Sequence, residues 1–141
     1  LIPNTICVMK SSLLDNPLLG ASAKLAGFIR NSDPFDMIAH GKEAVEERAN
    51  LLIFPEGTRT SQLQRVNQLN QSVALLASKL NLPIRSYIIS YDQCFLGKIK
   101  KHYSMPKLPM TITVKPGKVF YSNHDAELLT RDIEDYFNSE I

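Results

Sequence analysis

The run Leu51-Leu52-Ile53-Phe54 constrains the fold more than any other stretch of this chain. It is short and wholly apolar, with no alternation that would leave a polar face for water. Such a run suits a strand of a parallel sheet covered on both faces. Parallel strands need crossover connections, and the residues before Leu51 supply one. Asp33-Pro34 opens a helix, with Asp as its cap and Pro at the first helical position. The helix is predicted to continue to Arg48. Met37, Ile38, Gly41, Val45 and Arg48 fall near one face, and Glu43, Glu46 and Glu47 mainly on the other.

The alternation continues on both sides. Thr5-Ile6-Cys7-Val8-Met9 is β-prone, residues 16–27 form a loosely amphipathic helix, and Phe28-Ile29 is a brief strand. Downstream, Leu69, Val73, Leu76 and Leu80 predict a helix over 66–80, which Pro83 ends. Residues 84–91 and 110–114 read as strands, and Val119-Phe120-Tyr121 as one more. The last helix opens near Asn123, carries Leu129, Ile133, Tyr136 and Phe137 at helical spacing, and is preceded by a partial capping box, Ser122-xx-Asp125. This order predicts the α/β class: a layered αβα domain with a mixed, mostly parallel sheet and right-handed crossovers. Ligands of such sheets bind beyond the carboxyl ends of the strands, which places the residues after Phe54 at a binding edge.

A length of 141 residues suits one domain spanning 1–141. With 44% apolar and 21% charged residues the chain reads as globular rather than disordered. A net charge of +2 is too small to argue for nucleic acid. Cys7 and Cys94 sit in apolar stretches, without a CxxC pair or a Cys/His cluster. They read as small buried hydrophobes in a reducing compartment rather than as zinc ligands. No apolar run is long enough to span a bilayer as a helix.

The chemistry concentrates in Phe54-Pro55-Glu56-Gly57-Thr58-Arg59. Pro55 stiffens the strand exit, and Gly57 permits a tight turn or the close approach of a ligand to the backbone. Arg59 offers a planar fork of donors that matches phosphate oxygens. Glu56 can accept hydrogen bonds from a hydroxyl or orient Arg59. One loop with these residues can grip a phosphorylated polyol; the plainer reading is a turn with a solvated Glu–Arg pair.

All six positions resemble the third sequence block of the glycerol-3-phosphate and lysophosphatidic acid acyltransferase superfamily, and Leu51-Leu52-Ile53 before them is similar too. The resemblance implies an αβα fold like that of the glycerolphosphate acyltransferases. It also implies transfer of a fatty acyl group from acyl-coenzyme A or an acyl carrier protein to a hydroxyl of a glycerophosphate or lysophospholipid. That reaction belongs to phospholipid biosynthesis, runs at the cytoplasmic face of a membrane, and calls for no metal or organic cofactor. The block's role in holding the acceptor passes to Glu56, Gly57 and Arg59, with Thr58 as a further donor. Lys10-Ser11-Ser12-Leu13 and Pro17-Leu18-Leu19-Gly20 resemble the segment after the first strand, which makes Lys10 a candidate for the substrate groove. Gly27-Phe28-Ile29-Arg30-Asn31 resembles the second block and makes Arg30 a candidate, although the family's arginine stands a little later. Leu82-Pro83-Ile84 resembles the fourth block, with Arg85-Ser86 where that block has a later proline. The resemblance covers residues 7–89.

Acyl transfer needs a base for the acceptor hydroxyl and stabilisation of the oxyanion. In the superfamily these duties belong to a His, four residues, then an Asp. Five positions after His40, His102 and His124 stand Val45, Lys107 and Leu129, so no such block exists in this sequence. The expectation is a chain shortened at its N-terminus, with no catalytic residue among the residues given. The basic run Lys98-Ile99-Lys100-Lys101-His102-Tyr103 suits anionic lipid headgroups or the phosphates of coenzyme A, or is simply a solvated loop. Two alternatives accompany the enzyme reading: a non-catalytic anion- or lipid-binding module, and an acyltransferase whose acceptor lacks a phosphate. Asn70-Gln71-Ser72, where many members have a basic residue and a glycine, leaves room for the latter.

Overall fold

The computed structural model describes residues 3–17, 20–31, 33–56, 66–92, 108–122 and 125–141. Five strands and five helices are arranged among them. The first part builds β1 (Thr5–Lys10), α1 (Ser11–Leu14), α2 (Gly20–Leu25), β2 (Ile29–Asn31), α3 (Pro34–Glu46) and β3 (Asn50–Ile53). These strands form a parallel sheet in the order β2-β1-β3. Because β2 and β3 flank β1, α3 crosses over the central strand to connect them. The α/β class and the parallel sheet are as expected.

Asp33 caps α3 as its sequence predicts: its carboxylate accepts from Phe35 N–H at 2.7 Å and Asp36 N–H at 3.3 Å. The buried face of α3 is Met37, Gly41 and Ala44 rather than the stripe expected to run on to Arg48. Arg48 lies past the helix end at φ 58 and is exposed. Met37 and Ala44 pack with Val8, Ile29 and Leu76, and Ile6, Leu51 and Ile53 complete this first core. Residues i and i+2 of a strand share a face, so Ile6/Val8 and Leu51/Ile53 are the core side of the sheet. Leu52 and Phe54 point the other way and are 38% and 58% exposed. The second face that an all-apolar strand leads one to expect covered is therefore open at β3 among the described residues.

The remaining elements are α4 (Ser72–Leu80), β4 (Ile84–Tyr91), β5 (Ile112–Phe120) and α5 (Ala126–Glu140). β4 and β5 pair antiparallel, with a register shift between Arg85 and Tyr87. α5 closes a second core of Leu69, Ala74, Phe120, Leu129 and Ile133, edged by Tyr136 and Phe137. Tyr136 stacks edge-on to Phe120, ring centres 5.6 Å apart. α4 joins the two cores, giving Leu76 to the first and Ala74 to the second.

Four expectations about element bounds are corrected. Residues 16–27 do not make one helix: α1 precedes, α2 begins only at Gly20, and a Cβ there would collide with the Leu14 carbonyl. α4 begins at Ser72, not at Val66, because the backbone donors of the intervening residues are committed elsewhere. Asn67 N–H donates to Glu56, Leu69 N–H to Glu134 Oε1 at 2.7 Å, and Asn70 N–H to the Pro55 carbonyl at 2.9 Å. The runs at 110–114 and 119–121 belong to one strand, β5, which passes through Pro116-Gly117 at the register shift. Asp125 is itself the cap of α5, accepting from Glu127 N–H, rather than the distal partner in a capping box.

Candidate functional site

The parallel register fixes which residues share the carboxyl edge of the sheet. Val8 is level with Ile53 and Lys10 with Asn31. Two residues further along each strand, Lys10 comes level with Pro55, so Asn31, Lys10 and the Pro55–Glu56 exit stand side by side across three strand ends. Lys10 is exposed there.

Glu56 is half-buried and held. Its Oε2 accepts from Asn67 N–H at 3.1 Å. The Pro55 carbonyl beside it accepts from Asn70 N–H. Two bonds from the segment before α4 therefore brace the strand exit. That segment is anchored in turn on α5 through Glu134. Asn67 did not stand out in the sequence, because a backbone N–H leaves no trace in residue type. The Asn67 side-chain amide nitrogen is buried without a hydrogen-bond partner. Gly57, Thr58 and Arg59, the rest of the candidate loop, lie outside the described residues.

Arg30 is one residue short of the edge, opposite Met9, and so faces away from the Val8 side of the sheet. Its guanidinium donates to both carboxylate oxygens of Asp15, at 3.1 and 2.8 Å. This fork-to-fork pair holds the Asp15 carboxyl below its usual value, chiefly through the hydrogen bond from Arg30, and raises Arg30 reciprocally. The fork of Arg30 is thus turned onto Asp15 rather than standing free at the edge.

His40 lies exposed on α3, its Nδ1 2.8 Å from the Asp36 carbonyl oxygen. His102 and His124 lie outside the described residues, as do Cys94 and the basic run 98–103. Cys7 is half-buried, and that burial pushes its thiol up, away from the thiolate form that a nucleophile needs. Among the described residues no helix is long and apolar enough to cross a membrane.

The family model described as Acyltransferase matches residues 2–90 of the chain. The chain belongs to this family, that of the glycerolphosphate and lysophosphatidic acid acyltransferases. No curated protein and no solved structure matches it. The matched span takes in the whole parallel sheet, the braced exit at Glu56, α4 and nearly all of β4. The general role that goes with membership is acyl transfer, and the hairpin strand β5 and α5 lie beyond the matched part.

Proposed function

We propose that this acyltransferase moves a fatty acyl group from acyl-coenzyme A or an acyl carrier protein to a hydroxyl of a glycerophosphate or lysophospholipid, as a step of phospholipid biosynthesis. The observation that carries the reading is the braced carboxylate of Glu56, half-buried at the sheet edge one residue past Pro55, which is level with Lys10. A fixed carboxylate can accept a hydrogen bond from a glycerol hydroxyl and orient the arginine three residues on. Arg59 then takes the phosphate with its planar fork, assisted by Thr58, while Gly57 lets the backbone approach. Lys10 adds a second positive charge for the same anion, and Arg30 a third if it exchanges Asp15 for the acceptor.

In the reaction the acceptor oxygen attacks the thioester carbonyl. A C–O bond forms, the C–S bond breaks, and the hydroxyl proton passes through a base to the departing thiolate. No histidine of this sequence has the Asp spacing of the family's base, so we assign that step to residues outside the sequence. We also propose contact with the cytoplasmic face of a membrane. One face of the β4–β5 hairpin supports it: Ile89, Tyr91, Ile112 and Val114 are each more than half exposed, and Ile89 pairs with Val114 and Tyr91 with Ile112.

The test is an acyl-transfer assay on the longest polypeptide that the coding sequence specifies. Acyl-coenzyme A and acyl carrier protein are the donors; lysophosphatidic acid and glycerol 3-phosphate are the acceptors. Ester formation with either acceptor is expected. A folded protein that is silent with every combination would sink the proposal. Activity only with phosphate-free alcohols would move it to the other acceptor class.

A further inference from the structure

Glu134 follows the buried Ile133 on α5 and is itself half-buried. Among the described residues no basic side chain pairs with it. Its Oε1 accepts instead from the Leu69 N–H at 2.7 Å, the length of a charge-assisted bond. Neighbouring residues of α5 therefore hold Leu69 twice: its side chain packs into the core of Ile133, and its main chain bonds to Glu134. The two holds differ in kind. Apolar packing is non-directional, whereas a hydrogen bond fixes where an amide points.

We propose that Glu134 is a positioning residue of the acceptor site, setting the Glu56 carboxylate through the segment 66–70. The inference rests on the acyltransferase reading above and adds to it a residue of α5, beyond the span that the family model matches. The N–H groups of the segment go to two sides. Leu69 gives its own to α5; Asn67 gives its own to Glu56 Oε2 at 3.1 Å, and Asn70 to the Pro55 carbonyl at 2.9 Å. The Asn70 amide lies in the peptide plane directly after that of Leu69, with two soft dihedrals between them, so fixing one amide aims the next.

The sequence offers a competing arrangement. Val66, Leu69 and Val73 have the spacing to carry α4 back to Val66. The Asn70 N–H would then turn to the Val66 carbonyl, four residues back, and away from Pro55. Two side chains hold the segment out of that helix. Asn70 Oδ1 accepts from Ser72 N–H at 2.9 Å at the start of α4, and Glu134, 65 residues further along the chain, takes the amide just ahead of it. Without Glu134 the brace on Glu56 and Pro55 loosens. The acceptor then loses its fixed carboxylate, while the acyl donor keeps its own contacts.

Amide exchange and acceptor kinetics together test this. In Glu134→Ala the amides of Asn67, Leu69 and Asn70 are expected to exchange about tenfold faster or more, and KM for glycerol 3-phosphate or lysophosphatidic acid to rise about tenfold, with KM for the acyl donor unchanged. Glu134→Gln keeps an accepting oxygen and should recover most of both. Tyr136→Phe, which removes the Lys118 N–H contact of α5 and leaves the segment 66–70 alone, should change neither. If Glu134→Ala does not fold, Glu134→Asp, which draws the carboxylate back by one methylene, should move both readouts the same way. The deciding measurement is a double-mutant cycle: in a Glu56→Ala background, removing Glu134 should cost the acceptor nothing further. An equal KM penalty in both backgrounds overturns the proposal, as does unchanged exchange at Asn67 and Asn70. Failure of the acyltransferase reading looks different: the parent protein is silent in transfer, while exchange at Asn67 still shows whether Glu134 holds the Glu56 brace.

Discussion

The parallel sheet and the hairpin treat similar apolar strands in opposite ways. In the sheet, Val8 and Ile29 are each 5% exposed, sealed beneath α3. In the hairpin, Ile89, Tyr91, Ile112 and Val114 keep half or more of their surface, although the strands are longer and these four residues are all paired across it. The difference lies in the connections. A βαβ crossover lays a helix over the strands it joins, so burial comes with the topology. An antiparallel pair has only what is brought to it, and α5 reaches the Ile84–Phe120 end but not the Tyr91–Ile112 end. Strand pairing and apolar burial are thus separable: the hairpin has the first along most of its length and the second at one end.

The largest expected effects come from cutting each core. Leu76→Ala and Leu129→Ala remove fully buried side chains and should each cost about 2–5 kcal/mol in denaturant unfolding. They should differ in reach. α4 contributes to both cores, so Leu76→Ala is expected to speed amide exchange in β1, β3 and β4 together. Leu129→Ala should loosen α5 and β5 first. Identical exchange patterns for the two variants would mean that the regions are one cooperative unit and that the contrast between them is only topological.

The site belongs to the parallel half, so its perturbation should spare stability. Glu56→Gln keeps shape and one acceptor oxygen but removes the charge; Arg59→Ala removes the fork. Loss of one charge-assisted hydrogen bond, roughly 1.5–3 kcal/mol, lowers kcat/KM for a phosphorylated acceptor about 10- to 100-fold. Most of the loss for Arg59→Ala should appear in KM for the acceptor, with KM for acyl-coenzyme A unchanged. An Arg59→Ala enzyme with full kcat/KM would favour the phosphate-free acceptor.

In the hairpin half the sharpest single position is Gly117. A Cβ there would lie 2.5 Å from both Ser86 Oγ and Tyr136 OH. Ser86 Oγ donates to the Lys118 carbonyl at 2.9 Å, and Lys118 N–H donates to Tyr136 OH at 3.2 Å. Gly117→Ala must displace groups that tie β4, β5 and α5 together, and overpacking of this kind costs about 1–3 kcal/mol. The same change should leave exchange in β1–β3 nearly untouched, which thermal unfolding monitored by amide exchange will show.

How much of this was readable in the residues depends on where the deciding interactions lie. The Asp33-Pro34 start and the strand at Leu51 were legible because cap, proline and apolar run act within a few residues. The start of α4 was not: three backbone N–H groups that would have opened a longer helix go to Glu56, Glu134 and Pro55, and two of those partners are remote in sequence. The face of α3 was misjudged at its end because Arg48 leaves the helical conformation. That Lys10 and Glu56 stand at or just past the carboxyl ends of β1 and β3 was legible from the apolar runs before them. The brace from Asn67 was not, because it is main chain. The commitment of Arg30 to Asp15 needed the register of β1 and β2 to become visible.

That commitment makes the smallest prediction, and its sign follows from the direction of the shift. Arg30 holds the Asp15 carboxyl below its usual value, so the pair's contribution is present above the unfolded pKa, near 3.9, and is lost as pH falls through the lower folded value. Both groups are solvent-exposed, the side chains 39% and 60% accessible, so the effect is a small one and is screened by salt. Asp15→Asn should lower the unfolding midpoint slightly at pH 6 and low ionic strength. As pH falls through the folded value the difference between variant and parent should shrink, because the carboxyl then becomes protonated in the folded state as well. A deficit that does not shrink as pH falls, or in high salt, would show that Asp15 supports the α1–β2 junction through its shape and hydrogen bonds and not through its charge.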